Sequence, residues 1–64
     1  MKTFVTFVDG YQEVANMAEA IVVAKENDNT NFIVEVDESK LPEGLKAEEC
    51  LYAEEDGAIK RTTL

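Results

Sequence analysis

Residues 9–26, DGYQEVANMAEAIVVAKE, decide the fold. Two readings compete at the start of this stretch. Asp9-Gly10 between apolar runs is a strong hairpin signal. Asp9 with Gln12 three residues later also has the pattern of a capping box, which opens a helix. The residues that follow favour the helix. Val14, Met17, Ala18, Ile21 and Val22 recur at helical spacing, and Ala15, Ala20 and Ala24 add helix propensity. As a strand the stretch alternates poorly, because Val14 shares a face with Asn16. The spacing therefore predicts a helix from about Tyr11 to Glu26 that buries Val14, Met17, Ala18 and Ile21, with the hairpin ranked second. The polar run Asn27, Asp28, Asn29, Thr30, Asn31 stops it.

Upstream, Thr3 to Val8 reads TFVTFV, rich in β-branched and aromatic residues, and is predicted to be a strand. Phe4 and Val8 lie on one of its faces, Val5 and Phe7 on the other. Apolar groups on both faces suit a central strand, or one covered from two sides. Downstream, Phe32 to Asp37 reads FIVEVD. Phe32, Val34 and Val36 alternate with Ile33, Glu35 and Asp37, as in a half-buried strand with an acidic outer face. Glu38 to Gly44 contains Pro42 and Gly44 and reads as a loop.

The last segment has two readings. Glu49–Glu55 and Ala58–Thr63 flank Asp56-Gly57, and a two-residue turn there sets Tyr52 opposite Arg61 and Cys50 opposite Thr63. The alternative is a helix over 45–55 closed by Gly57. Against that helix, Glu54, Glu55 and Asp56 crowd the negative end of its dipole, while Lys46 sits at the positive end. The hairpin is preferred. The predicted fold is thus α+β, one domain over residues 1–64 in the order β-α-β-β-β. One mostly antiparallel sheet carries one helix on one face, with the helix stripe over Phe32, Val34, Val36 and Phe4 or Phe7. Leu41, Leu45 and Leu51 close the end.

Composition narrows the function. Sixty-four residues make one small domain with a thin margin of stability. Cys50 is the only cysteine, which removes an intrachain disulfide and points to a reducing compartment. Histidine is absent, so a structural zinc site is not expected. The longest apolar run, Ala20 to Ala24, falls far short of a membrane span, and no secretory apolar region is apparent. A cytoplasmic protein is expected, in the host cytoplasm if the source is viral.

Net charge is −8, from fourteen acids and six bases. Direct binding to nucleic acid or to anionic membranes needs a basic face and is not expected. The charge is uneven. From Glu35 to Asp56 nine acids meet two lysines, residues 1–34 carry five acids and two lysines, and the tail from Gly57 adds Lys60 and Arg61.

Catalytic groups are scarce. Without histidine the commonest general base is missing, and Cys50 has no imidazole to activate it. Glu48 and Glu49 beside it raise a thiol pKa rather than lower it. Cys50 reads as a small core residue. Paired carboxylates would need a desolvating pocket, for which a domain of this size has little room beside its core. Asn27, Asn29, Asn31 and Glu38 imitate part of a calcium loop. However, the glycine position is Phe32, the first ligand is an amide, and the strand reading claims the same residues. No cofactor, metal or catalytic residue is expected.

What remains is recognition. Glu35 and Asp37 with adjoining Glu38, and the acidic turn Glu54, Glu55 and Asp56, are the candidate partner-binding residues. They would form an anionic surface fitted to a protein with a basic face. In size, charge and lack of catalytic groups the chain resembles the small antagonists that phages encode against host nucleases, polymerases or CRISPR effectors. Some of those act as DNA mimics, placing carboxylates where DNA has phosphates. The resemblance is compositional, covers no motif, and implies an inhibitor that covers a nucleic-acid-binding surface. The alternative is a structural or regulatory homodimer or larger homo-oligomer assembling through strand edges.

Overall fold

Val14 ends a strand instead of opening a helix. The computed structural model describes residues 1–53 and 57–63. Its strands are β1 (Lys2–Phe7), β2 (Gly10–Val14), β3 (Thr30–Val36) and β4 (Ile59–Thr63), with a single helix α1 (Met17–Glu26) between β2 and β3. Short 3₁₀ turns follow at Glu38–Lys40 and Ala47–Cys50. The sheet order is β2-β1-β3-β4 and every pairing is antiparallel. The α+β class, with one sheet and one helix, is as the sequence predicts. The element order is β-β-α-β-β, so the hairpin reading at Asp9-Gly10 is the correct one.

Two features decide the competition in 9–26. The first is the true helix cap. Asn16 has extended backbone angles, and its side-chain oxygen accepts from the Glu19 N–H at 2.9 Å. The Glu19 carboxylate in turn accepts from the Ala15 N–H at 2.9 Å. This reciprocal pair fixes the helix start at Met17 and leaves 10–14 free to pair. The second is tertiary. As a strand, this segment buries Val14 in a cluster with Val5, Ile33, Ala20 and Ala24, and sets the Tyr11 ring edge-on to Phe4 at 5.8 Å. The turn itself is Val8-Asp9, closed by the Phe7↔Gly10 pair, and none of its residues has left-handed φ. Gly10 therefore does not serve the left-handed turn position that an Asp-Gly turn requires.

The helix packs through small residues. Ala20 and Ala24 are buried against Val5 and Ile33, with Met17, Val23 and Phe7 at the margin. Ala18 and Ile21, expected inside, are exposed, as is Val22. Branched side chains would hold the axis away from the sheet, whereas alanine lets it settle close. At the far end, the Asn27 amide donates to the Val23 carbonyl at 2.7 Å and the Thr30 hydroxyl to the Ala24 carbonyl at 3.3 Å, which ends the helix.

β1 is central and covered on both faces. Phe4, Val34 and Val36 point away from α1, against Ala47 and Leu51, with Phe32, Leu41 and Ile59 packed beside them. The expected helix cover over Phe32, Val34 and Val36 is thus wrong, and the chain over 38–53 covers them instead. Leu41 and Leu51 do close this side. The predicted strand over 49–55 is absent from its described part. Ala47, Cys50 and Leu51 are all buried. That is helical spacing, and a strand would set Cys50 and Leu51 on opposite faces. β4 pairs with β3, placing Arg61 beside Val34 and Thr63 beside Phe32, not beside Tyr52 and Cys50.

One irregularity is handled locally. The β1–β3 register shifts between Thr6 and Phe7, where Asn31 is the extra residue. The buried Thr6 hydroxyl donates to the Phe32 carbonyl at 3.0 Å and accepts from the Phe32 N–H at 3.3 Å. The Asn31 amide donates to the Phe7 carbonyl at 3.2 Å.

Candidate functional site

The first candidate acids gather at one corner of the sheet. Glu35 sits on β3 between Thr3 of β1 and Lys60 of β4. It shares a face with Ile33, which is fully buried under α1, so this side of β3 is not the open acidic face that alternation predicts. Asp37 lies just past the strand and caps the Glu38–Lys40 turn. Its carboxylate accepts from the Ser39 hydroxyl at 2.6 Å and the Ser39 N–H at 3.1 Å. Glu38 lies 3.9 Å from the Lys2 ammonium, and Asp37 lies 3.9 Å from that of Lys40. These residues border a hollow of about 290 Å³ whose lining includes Met1, Glu35, Asp37, Lys40 and Lys60.

The corner is therefore nearly balanced. Three acids, Glu35, Asp37 and Glu38, meet three lysines, Lys2, Lys40 and Lys60. Lys2 and Lys60 stand near opposite ends of the sequence, so their convergence is invisible before folding. Glu54, Glu55 and Asp56, the second candidate cluster, lie outside the described residues. The uncompensated charge among the described residues is elsewhere. Residues 9–28 carry Asp9, Glu13, Glu19, Glu26 and Asp28 against Lys25, a net of −4.

The Ser39 hydroxyl, helped by its N–H and by Lys40, holds the Asp37 carboxyl below its ordinary value against a smaller opposing desolvation. A depressed carboxyl pKa contributes stability above the unfolded value that is lost as pH falls through the folded one. The 3₁₀ cap is thus intact at neutral pH and lost in acid. Ser39→Ala is expected to raise the Asp37 midpoint toward the usual range of about 3.9. Carboxyl-carbon chemical shifts across an acid titration measure this, and an unmoved midpoint contradicts the assignment.

The other candidates have structural roles. Cys50 is buried, and its thiol donates to the Lys46 carbonyl at 3.3 Å. The calcium-like asparagines are dispersed: Asn27 caps α1, Asn29 donates to Asp9 at 3.3 Å, and Asn31 serves the bulge. No group of three or more potential ligands that would hold a metal occurs among the described residues. Nor is any described helix long and apolar enough to cross a membrane. The predicted hairpin sets Arg61 opposite Tyr52. Its guanidinium instead donates to the carbonyls of Leu51 (3.2 Å) and Ala53, and lies 5.8 Å from the Phe32 ring centroid. Tyr52 packs edge-on to Phe32 at 5.7 Å.

β2 carries none of the residues that the sequence singles out for partner binding. Its burial pattern leaves Gly10, Tyr11, Gln12 and Glu13 exposed on an outer edge of the sheet. The signal was the hairpin reading, since a strand that follows a turn and precedes a capped helix has one partner strand in sequence. The fold defines a small α+β domain, one four-stranded antiparallel sheet between a helix and an irregular cover. Comparison of the chain with family models, with curated proteins and with solved structures gives no match.

Proposed function

We propose that the chain is a small acidic protein-binding module that covers a basic surface of a partner protein, as an inhibitor or modulator of nucleic-acid binding. The observation that carries this reading is the distribution of charge. A net charge of −8 lies at the upper end of what solubility of a small domain calls for, and three of the six bases are gathered at one corner. The excess of acid over residues 9–28 is consequently left to the remaining surface. The chain's compositional resemblance to phage-encoded antagonists and DNA mimics supports the same reading, with a cytoplasmic site of action and no catalysis.

Electrostatic complementarity accelerates association and selects partners, and salt screens it. The test is capture of the partner from lysate at low salt, followed by affinity measurements over a salt series. Affinity is expected to fall steeply with salt. The double reversal Asp9→Lys with Glu13→Lys is expected to weaken binding by tenfold or more, about 1.4 kcal/mol. Glu35→Lys with Glu38→Lys is expected to cost less, because Lys2, Lys40 and Lys60 already offset those acids. Salt-independent affinity defeats the electrostatic reading.

A further inference from the structure

We infer that β2 is a docking edge, and that its occupant is an extended basic segment of the partner, added to the sheet as a further strand. This rests on the acidic-module reading above and specifies how that module engages.

Three independent features coincide on this strand. The first is an available backbone. A two-residue turn makes Phe7 and Gly10 the closing pair of the hairpin. By alternation, Gly10, Gln12 and Val14 bond back to β1, while Tyr11 and Glu13 turn their N–H and C=O groups outward. The five β1–β2 pairs run from Thr3↔Val14 to Phe7↔Gly10 without a register shift, so the edge is regular. The second is the lack of protection. Edge strands are commonly guarded by lysine, proline or a bulge. The other edge, β4, carries Lys60, and its Arg61 is tied inward to Leu51 and Ala53. β2 has no lysine, proline or bulge. The third is the side-chain surface. Tyr11 is 51% exposed and Val8, at the adjoining turn, 77%. Glu13 shares the Tyr11 face, and Asp9 stands at the turn.

Charge selects the occupant. A strand with lysine or arginine at alternate positions sets cations against Glu13 and over the Tyr11 ring, with apolar residues between them. A second copy of this chain brings two surfaces of net −4 together and is disfavoured. Strand addition supplies affinity through main-chain hydrogen bonds and specificity through alternate side chains, a recurring mode of peptide capture.

The probe is a synthetic lysine–valine alternating hexapeptide, added to the isotopically labelled full chain at low salt. A glutamate–valine peptide serves as control. Saturation with the basic peptide is expected to slow amide exchange at Tyr11 and Glu13 at least tenfold, while the acidic peptide leaves it unchanged. Glu13→Pro removes one outward donor at a position where an edge strand tolerates proline. It is expected to lower affinity for the basic peptide about tenfold, compared with about threefold for Glu13→Gln, which removes charge alone. Binding of the basic peptide without protection at Tyr11 and Glu13, or with protection confined to β4, overturns the edge assignment and leaves the acidic-module reading standing. No binding of the basic peptide, or protection that appears with protein concentration alone, overturns the basic-strand proposal. Salt-independent binding of the captured partner defeats the module reading separately.

Discussion

Phe4→Ala is expected to lower the stability of the domain by about 3–5 kcal/mol. Phe4 is the largest of the fully buried side chains among the described residues and lies on β1, one of the two strands with partners on both sides. It faces Val34 in register, packs with Ala47 and Leu51, and meets the Tyr11 ring edge-on. Truncating a buried phenylalanine costs about 3–5 kcal/mol, from lost transfer energy and the cavity left behind. A domain of this length has about 3–10 kcal/mol in total, at the usual 0.05–0.15 kcal/mol per residue. The loss therefore consumes a third or more of the margin, and all of it at the low end. Ile21→Asp supplies the contrast. Helical periodicity places Ile21 in the core, but the structure leaves it exposed, so its replacement is expected to stay within about 1 kcal/mol of the parent. Urea unfolding followed by circular dichroism measures both. An unfolded Ile21→Asp variant would show that the helix turns its other face to the sheet, and a Phe4→Ala variant as stable as the parent would remove Phe4 from the core.

Arg61→Met is expected to release the cover over 47–53 from the sheet. Arg61 reaches from β4 to the carbonyls of Leu51 and Ala53 while its guanidinium lies near the Phe32 ring. The cover holds Ala47, Cys50 and Leu51 in the second half of the core, and Tyr52 closes over Phe32. Hydrogen bonds to a charged group contribute about 1.5–3 kcal/mol each when buried. These are part-buried, so a total of about 2 kcal/mol is the appropriate magnitude. Methionine keeps much of the stem and loses the donors. Arg61→Lys is not expected to rescue, because an ammonium lacks the planar fork that serves two carbonyls at once. Hydrogen exchange separates local from global effects. Faster exchange confined to 47–53 is the expected pattern, and uniform acceleration across the sheet would assign Arg61 to the strand pairing instead.

The candidate site was legible only in part. Net charge and its segmental bias are properties of composition, and folding does not change them. Where the charge is countered is a different matter. Lys40 meets Asp37 locally, within the first 3₁₀ turn, but Lys2 and Lys60 come from the first and last strands, and only the β1–β3–β4 pairings bring them to Glu38 and Glu35. Asp37 likewise reads as a solvent-facing acid, yet it caps a turn through Ser39, two residues on. That Asx-type contact was within reach of the sequence as Asp-x-Ser.

By itself, the sequence determined that β1 would be apolar on both faces, that a strand would begin at Phe32, two residues inside the observed Thr30–Val36, and that one helix would end at the asparagine-rich run. These follow from local propensity and composition. Tertiary structure decided the rest. Tyr11–Val14 carries helical spacing and also follows directly on a hairpin turn, and local energies of a few tenths of a kcal/mol per residue separate the two outcomes. The Asn16–Glu19 cap, together with burial of Val14 against Val5 and Ile33, favours the strand, because burying a valine contributes about 1.5–3 kcal/mol. The choice of helix face was settled in the same way. Ala20 and Ala24 offer less apolar area than Ile21 and Val22, but they allow close approach to a sheet whose opposite face is already filled by residues 38–53. No periodicity along 17–26 records that cover, because it arrives from the other side of the sheet.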